Sequence, residues 1–178
     1  MYNLQELLKK NHFHENTFPK IAELLLNHFL LIVNEKSYRS TEIEFYWNDN
    51  KDHQDNSTYI RNHTGKLQPG QLFFHYSGFD IALDNDFGYG GILIRGVLDL
   101  STGHYYIGPM ISCMRIFSGV SVFGGHMDVR LEESSVQPGD ICTKPKQGLG
   151  KNAIEGGFDL KDYNYYLKIS QDKNAFTD

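Results

Sequence analysis

An α+β domain, with a mainly antiparallel sheet and one N-terminal helix packed on it, is the fold this sequence predicts. Three observations carry that expectation. A helix start is followed by apolar residues at helical spacing, short runs rich in β-branched and aromatic residues alternate with polar ones, and clusters of glycine, asparagine and aspartate separate those runs. A chain of 178 residues is long enough to bury a core without metals or disulfides, so residues 1–178 read as a single domain. With 40% hydrophobic, 22% charged and 13% aromatic residues, the composition is that of a folded chain.

The elements follow in order. Asn16-Thr17-Phe18-Pro19 marks a helix start, with Asn16 or Thr17 as cap and proline in the first turn, where its missing donor costs nothing. Ile21, Leu24 and Leu25 give the segment a buried face, which predicts a helix over residues 19–27. Phe29-Leu30-Leu31-Ile32-Val33 reads as a buried strand and residues 40–46 as a second, joined through Asn34-Glu35-Lys36. Alternation along Thr41-Glu42-Ile43-Glu44-Phe45 puts both glutamates on one face and both apolar residues on the other. With Ile43 and Phe45 in the core, the carboxylates face a cleft or solvent. Residues 47–70 form a polar loop too long for a hairpin turn, and loops of that length are often functional. Strands are expected at 71–76, 91–100, 105–107 and 161–169, with a glycine-containing loop at 148–157. Residues 108–139 carry no pattern that assigns them.

A net charge of −5 argues against strong nonspecific attraction to phosphate backbones. One basic loop, residues 143–151, nevertheless brings Lys144, Lys146 and Lys151 together without an acid, and suits phosphate contact. Two cysteines, Cys113 and Cys142, exclude a disulfide-rich scaffold and read as reduced, buried thiols. No basic region followed by an apolar one opens the chain, and the apolar run Phe29–Val33 is far too short to span a bilayer. The protein is expected in the cytoplasm, off the membrane and without an obligate protein partner.

Local motifs exclude several chemistries. Gly88-Tyr89-Gly90-Gly91 and Gly148-Leu149-Gly150-Lys151 lack the spacing of phosphate-binding or dinucleotide fingerprints and read as turns, as does Gly124-Gly125-His126. No Gly-x-Ser-x-Gly elbow is present. Asp52, His53, Asp55 and His63 have metal-ligating side chains but read as solvated loop residues, so no metal and no other cofactor is expected. What remains is the acidic pair Glu42 and Glu44, followed by Tyr46, His53, Arg61-Asn62, the aromatic run Phe73-Phe74-His75-Tyr76 and Arg95. A carboxylate delivered into a space lined by aromatic rings suits a site that holds a flat ring and activates water beside it.

In that order of motifs, over residues 20–98 and again weakly over 143–160, the chain resembles the alkyladenine (3-methyladenine) DNA glycosylase family. Ile21-Ala22-Glu23-Leu24-Leu25-Leu26 stands in the place of the family's helix before the first strand. The family's Glu-Thr-Glu-Ala-Tyr motif is matched by Glu42-Ile43-Glu44-Phe45-Tyr46, which implies Glu44 as general base and Tyr46 as a base-stacking residue. The histidine of the following loop is matched by His53, and the Thr-Pro-Arg-Asn motif by Thr58, Arg61 and Asn62, with one residue inserted and the proline missing. Phe73, Phe74 or His75 supplies the second stacking face, and Tyr76 stands nearest to the residue that fills the gap left in DNA. Leu93-Ile94-Arg95 matches the family's Leu-x-Arg strand and implies that Arg95 helps hold the water. Ser77 and Asp84 stand where the family has a tyrosine and an asparagine.

The resemblance implies a monofunctional, water-using DNA glycosylase of base excision repair that flips alkylated or deaminated purines out of duplex DNA. The residues fit that chemistry on their own terms, because a carboxylate stabilises a cation-like sugar and aromatic faces hold a flipped base. A divergent relative that binds a base, nucleoside or modified nucleic acid without cleaving it is the alternative. A small-molecule hydrolase using Glu44 is a third reading.

Overall fold

The computed structural model describes residues 4–9, 15–49, 51–62, 64–121, 123 and 126–168. Among them a nine-stranded antiparallel sheet curls into a half-barrel, and the α+β expectation holds. Helix α1 spans Leu4–Lys9 and α2 spans Phe18–Glu23, continued by one wider π-helical turn, Leu24–His28. The sequence expectation of a helix at 19–27 is therefore met within a residue at each end. Strands β1 (Phe29–Val33) and β2 (Lys36–Asn48) form a hairpin through Asn34 and Glu35. Asn34 takes a positive φ of 54°, a left-handed conformation that asparagine tolerates better than most residues.

Strand β2 is the axis of the molecule. One side pairs with β5 (Tyr89–Asp99) along its length, while the other side pairs first with β1 and then, beyond a bulge around Thr41, with β9 (Asn164–Leu167). A bulge bends and twists the strand that carries it, and here it lets one strand serve two neighbours. β3 (Leu72–His75) and β4 (Gly78–Ala82) form a second hairpin beside β5, where a single strand at 71–76 is expected. At the turn, Gly78 has φ of 141°, and a Cβ there would lie 2.9 Å from the Pro109 carbonyl oxygen, so only glycine fits.

β6 (Tyr105–Ile107) pairs with β5, β7 (Val129–Glu133) with β1, and β8 (Ile141–Lys144) with β9. The unassigned stretch 108–139 thus holds β7 and the helix α3 (Pro109–Phe117), and the loop expected at 148–157 contains the short helix α4 (Lys151–Glu155). Pro109, Ser112, Cys113, Ile116 and Phe117 repeat at helical spacing, and α3 packs through that stripe on β4 and β5. Ile169, expected to end the last strand, and the Gly124-Gly125 turn lie outside the described residues.

The core lies on one face of β2. Ile43, Phe45 and Trp47 are essentially without solvent exposure there, and Phe18 of α2 stacks on Phe45 with ring centroids 4.5 Å apart. Cys113 and Cys142 are free, as expected, but only half-buried rather than buried.

Candidate functional site

The other face of β2 carries Glu42, Glu44 and Tyr46, as the alternation requires. Registry with β5 sets Leu93 opposite Glu44 and Gly91 opposite Tyr46, and Arg95 projects from β5 on the same face. A Cβ on Gly91 would come 2.6 Å from Asp80 Oδ2, so glycine lets β4 and β5 close up beneath the site. From the opposite side β9 brings Asn164 against Glu44, and the loop after β8 brings Gln147.

Glu44 is wholly buried, and its carboxylate accepts four hydrogen bonds. Oε2 takes one from the Tyr46 hydroxyl at 2.7 Å and one from the Arg95 guanidinium at 3.1 Å; Oε1 takes one from the Gln147 backbone N–H and one from Asn164 Nδ2, both at 2.9 Å. Burying a carboxylate is costly unless its lone pairs are met, and these are. Glu42 sits beside it, accepting from Arg95 Nε at 3.2 Å and Asn164 Nδ2 at 2.7 Å, with Lys144 Nζ at 3.1 Å. Burial, and then the neighbouring Glu44, push the Tyr46 phenol far above its usual value, so it stays protonated and donating.

Above this polar unit opens a cleft of about 880 Å³, of the size that takes a small organic ring system. Arg95 and Tyr46 line its floor; Tyr59, Phe73, His75 and Tyr76 line an aromatic wall. Tyr59 lies against His75 with centroids 4.4 Å apart and meets Tyr76 edge-on at 5.6 Å, while Phe73 lies 5.6 Å from His75. Burial pushes the Tyr59 phenol up to about 12, and its hydroxyl lies 3.1 Å from Ser77 Oγ. His75 is fixed by its neighbours: Nδ1 accepts the Ser77 N–H at 3.2 Å, which leaves Nε2 to donate to Asp80 at 3.1 Å. Thr58 Oγ1 in the same wall is buried without a hydrogen-bond partner.

The structure brings together Arg95, Tyr46, Asn62, Phe73, Phe74, His75, Tyr76 and Lys151 as lining residues, with Glu44 directly beneath. Phe74 is at the rim, half-exposed, with its ring packed on Phe79 and Phe117 across from the wall. Tyr76 is 80% exposed at the tip of the β3–β4 hairpin.

Five expectations are corrected. His53 lies in the core behind the site, against Phe158 at 4.9 Å and Tyr163 at 5.6 Å, because β2 runs on to Asn48 and the Asn48–Gln54 bridge folds the loop back. Arg61 does not present itself to a phosphate backbone: it is buried in an ion pair with Asp84 at 3.1 Å and donates to the Gly90 carbonyl at 2.6 Å. Asp84 does not line the cleft either: besides Arg61 it accepts the Leu67 and Gly90 N–H groups and pins the long loop to β5. Lys146 is fully buried, donating to Asp55 and, at 2.8 Å, to Ser57, with its ammonium 4.3 Å from the Tyr46 ring centroid; burial lowers its pKa against the pull of Asp55. Lys144 is half-buried on Glu42, so Lys151 alone of the three basic-loop lysines is exposed at the cleft.

Tyr59, Gln147 and Asn164 belong to the site without having been singled out in the sequence. An Asn-Tyr-Tyr-Leu strand offers no local mark of a site residue; only the β9–β2 pairing reveals one. No group of three His, Cys, Asp or Glu side chains among the described residues is placed to hold a metal, and His63 lies outside them. No described helix is long and apolar enough to cross a membrane.

No known family model matches the chain. A viral protein is similar to it. This relative, an uncharacterized protein of Acanthamoeba polyphaga mimivirus, is 32% identical over 119 residues, which cover 53% of this chain and 54% of the relative. The chain therefore spans about half the length of the curated relative it matches.

Proposed function

We infer that the protein is a monofunctional DNA glycosylase of the cytoplasm, using water to excise alkylated or deaminated purines from duplex DNA. One observation carries the reading: the Glu44–Arg95 pair lies at the base of an aromatic-walled cleft of about 880 Å³, a size that suits a flipped base. Breaking an N-glycosidic bond builds positive charge on the sugar, and a buried carboxylate fixed in place acts on that charge more strongly than it would in water. Because Glu44 has no exposed surface, the Tyr46 hydroxyl is its route to the cleft. As water adds to the sugar carbon, the water gives a proton to Tyr46, Tyr46 passes its own to Glu44, and the bonding electron pair leaves with the base, which takes a proton from solvent. Tyr46 thus acts as a proton relay as well as a wall of the site.

A second reading, a non-cleaving binder of a base, nucleoside or modified nucleic acid, is favoured by a different observation. All four donors to Glu44 come from the protein itself, and Arg61 and Lys146 are tied up in buried pairs instead of reaching for phosphates. Single-turnover base release from short duplexes carrying hypoxanthine, ethenoadenine or an alkylated purine separates the two. Release by the wild type above the spontaneous rate supports the glycosylase; tight binding of the same duplexes without release supports the binder.

A further inference from the structure

Charge around the cleft is layered. Arg95 and Lys151 line it, and no aspartate or glutamate does among the described residues. Each nearby acid stands behind a partner: Glu44 behind Tyr46 and Arg95, Glu42 behind Arg95 and Lys144, Asp55 behind Lys146, Asp84 behind Arg61, and Asp80 behind His75. Two of the lining rings, moreover, already carry a cation on one face. Lys146 Nζ lies 4.3 Å from the Tyr46 centroid, and Arg61 Cζ lies 4.1 Å from the Phe73 centroid. The Lys146 side chain has no exposure and that of Arg61 has 7%, and neither lines the cleft, so each cation stands on the buried side of a ring that does.

An aromatic face attracts a cation through its negative quadrupole. A ring whose hidden face already holds a cation offers less of that attraction, and a second cation stacked on the open face feels the first across the ring. At a separation of about 8 Å and an effective dielectric of about 20, the bare cation behind one ring would disfavour binding by roughly thirtyfold; its partner carboxylate, about 3 Å farther off, reduces this to about threefold per ring, or about tenfold for the two rings together.

We propose that the cleft selects neutral, flat heteroaromatic bases, deaminated purines foremost, and rejects N-alkylated bases that carry a fixed positive charge. This narrows the substrate class of the proposed glycosylase and rests on that reading. Neutral bases stack on the Tyr46 and Phe73 faces without charge repulsion and present their carbonyl edges to Arg95, Asn62 and the Thr58 hydroxyl. The cationic products of base alkylation meet Arg95 and Lys151 directly, and Lys146 and Arg61 through the rings.

Isothermal titration with two nucleosides of the same shape tests this: 1-methylinosine, which is neutral, and 1-methyladenosine, which is cationic at neutral pH. The neutral nucleoside is expected to bind about tenfold tighter or more. Equal or tighter binding of the cation overturns the selectivity and leaves the base-binding reading standing; no binding of either overturns both. The variant Asn62→Asp places a carboxylate in the lining at an exposed, isosteric position. It is expected to narrow the gap about threefold or more, chiefly by tightening the cation; an unchanged gap means that charge is not what discriminates, and overturns the proposal.

Discussion

Phe45 and Glu44, neighbours on opposite faces of β2, are buried equally and for opposite reasons. On one, Phe45 is without exposure among Phe18, Tyr165 and their neighbours; on the other, Glu44 is without exposure among four hydrogen-bond donors. Apolar burial stabilises in proportion to the area removed from water and is indifferent to direction, at about 25 cal/mol per Å². A buried carboxylate contributes nothing of that kind and persists only where each oxygen is met. The core face therefore tolerates a change of residue that conserves volume, while on the site face even an isosteric change in a variant that folds alters the charge and the hydrogen bonds the cleft depends on. A strand needs the first face to fold; the second is retained for what it does in the cleft.

Phe45→Ala is the largest disruption of the core face. It should cost about 3–5 kcal/mol in denaturant unfolding by leaving a cavity beside Phe18, and base binding should fall only as far as the folded fraction falls. A result in which binding is lost in fully folded protein would merge the two faces into one. On the site side, Lys146→Met should cost about 3 kcal/mol or more, because it strands Asp55 as an uncompensated buried charge. Adding Asp55→Asn should recover much of that loss, and failure to recover it would mean that the ammonium, not the orphaned carboxylate, matters.

Asn164→Ala removes the amide that bridges Glu42 and Glu44. A stability loss of about 1–3 kcal/mol is expected, together with a larger fractional loss of any base release than of duplex affinity. Alkaline pH probes both faces at once. The Tyr38, Tyr46 and Tyr59 phenols all have folded pKa values raised above 10, first by burial. Their contribution is fully present below pH 10 and is lost as pH rises past it. Lys146, lowered instead, works in the opposite direction, because its burial penalty is relieved as pH rises toward 10.5. The Cys113 thiol, raised by burial, adds to the fall and the Tyr76 phenol, lowered by its hydrogen bond with Tyr59, opposes it. The raised groups outnumber the lowered ones, so a net fall is expected, seen as a melting temperature that drops above pH 10 with Tyr46 phenolate absorbance appearing only on unfolding. Tyr76→Ser, at a side chain 80% exposed, should leave stability within about 0.5 kcal/mol while weakening binding to duplex DNA.

Local pattern carried the first half of the site. Period-two alternation put Glu42 and Glu44 opposite Ile43 and Phe45, and the aromatic run singled out His75 and Tyr76, which line the cleft. Local pattern also misled where charge complementarity acts at a distance. Arg61 and Lys146 read as free basic groups because their partners, Asp84 and Asp55, are 23 and 91 residues away in the chain. Asn164 sits 120 residues from Glu44, so only the β9–β2 register brings it in. Helix α3 is a different case: Pro109 in its first turn and the helical spacing from Ser112 to Phe117 were present in a stretch that was left unassigned.

Base release from a hypoxanthine-containing duplex, measured under single turnover for wild type and Glu44→Gln with melting curves on both, tests the central claim most directly. Release by the wild type, lost by about a hundredfold or more in a variant that stays folded, is the predicted result. Equal release by both proteins would remove Glu44 from the chemistry, and no release by well-folded wild type at low salt and high protein concentration would leave the cleft as a binding site alone.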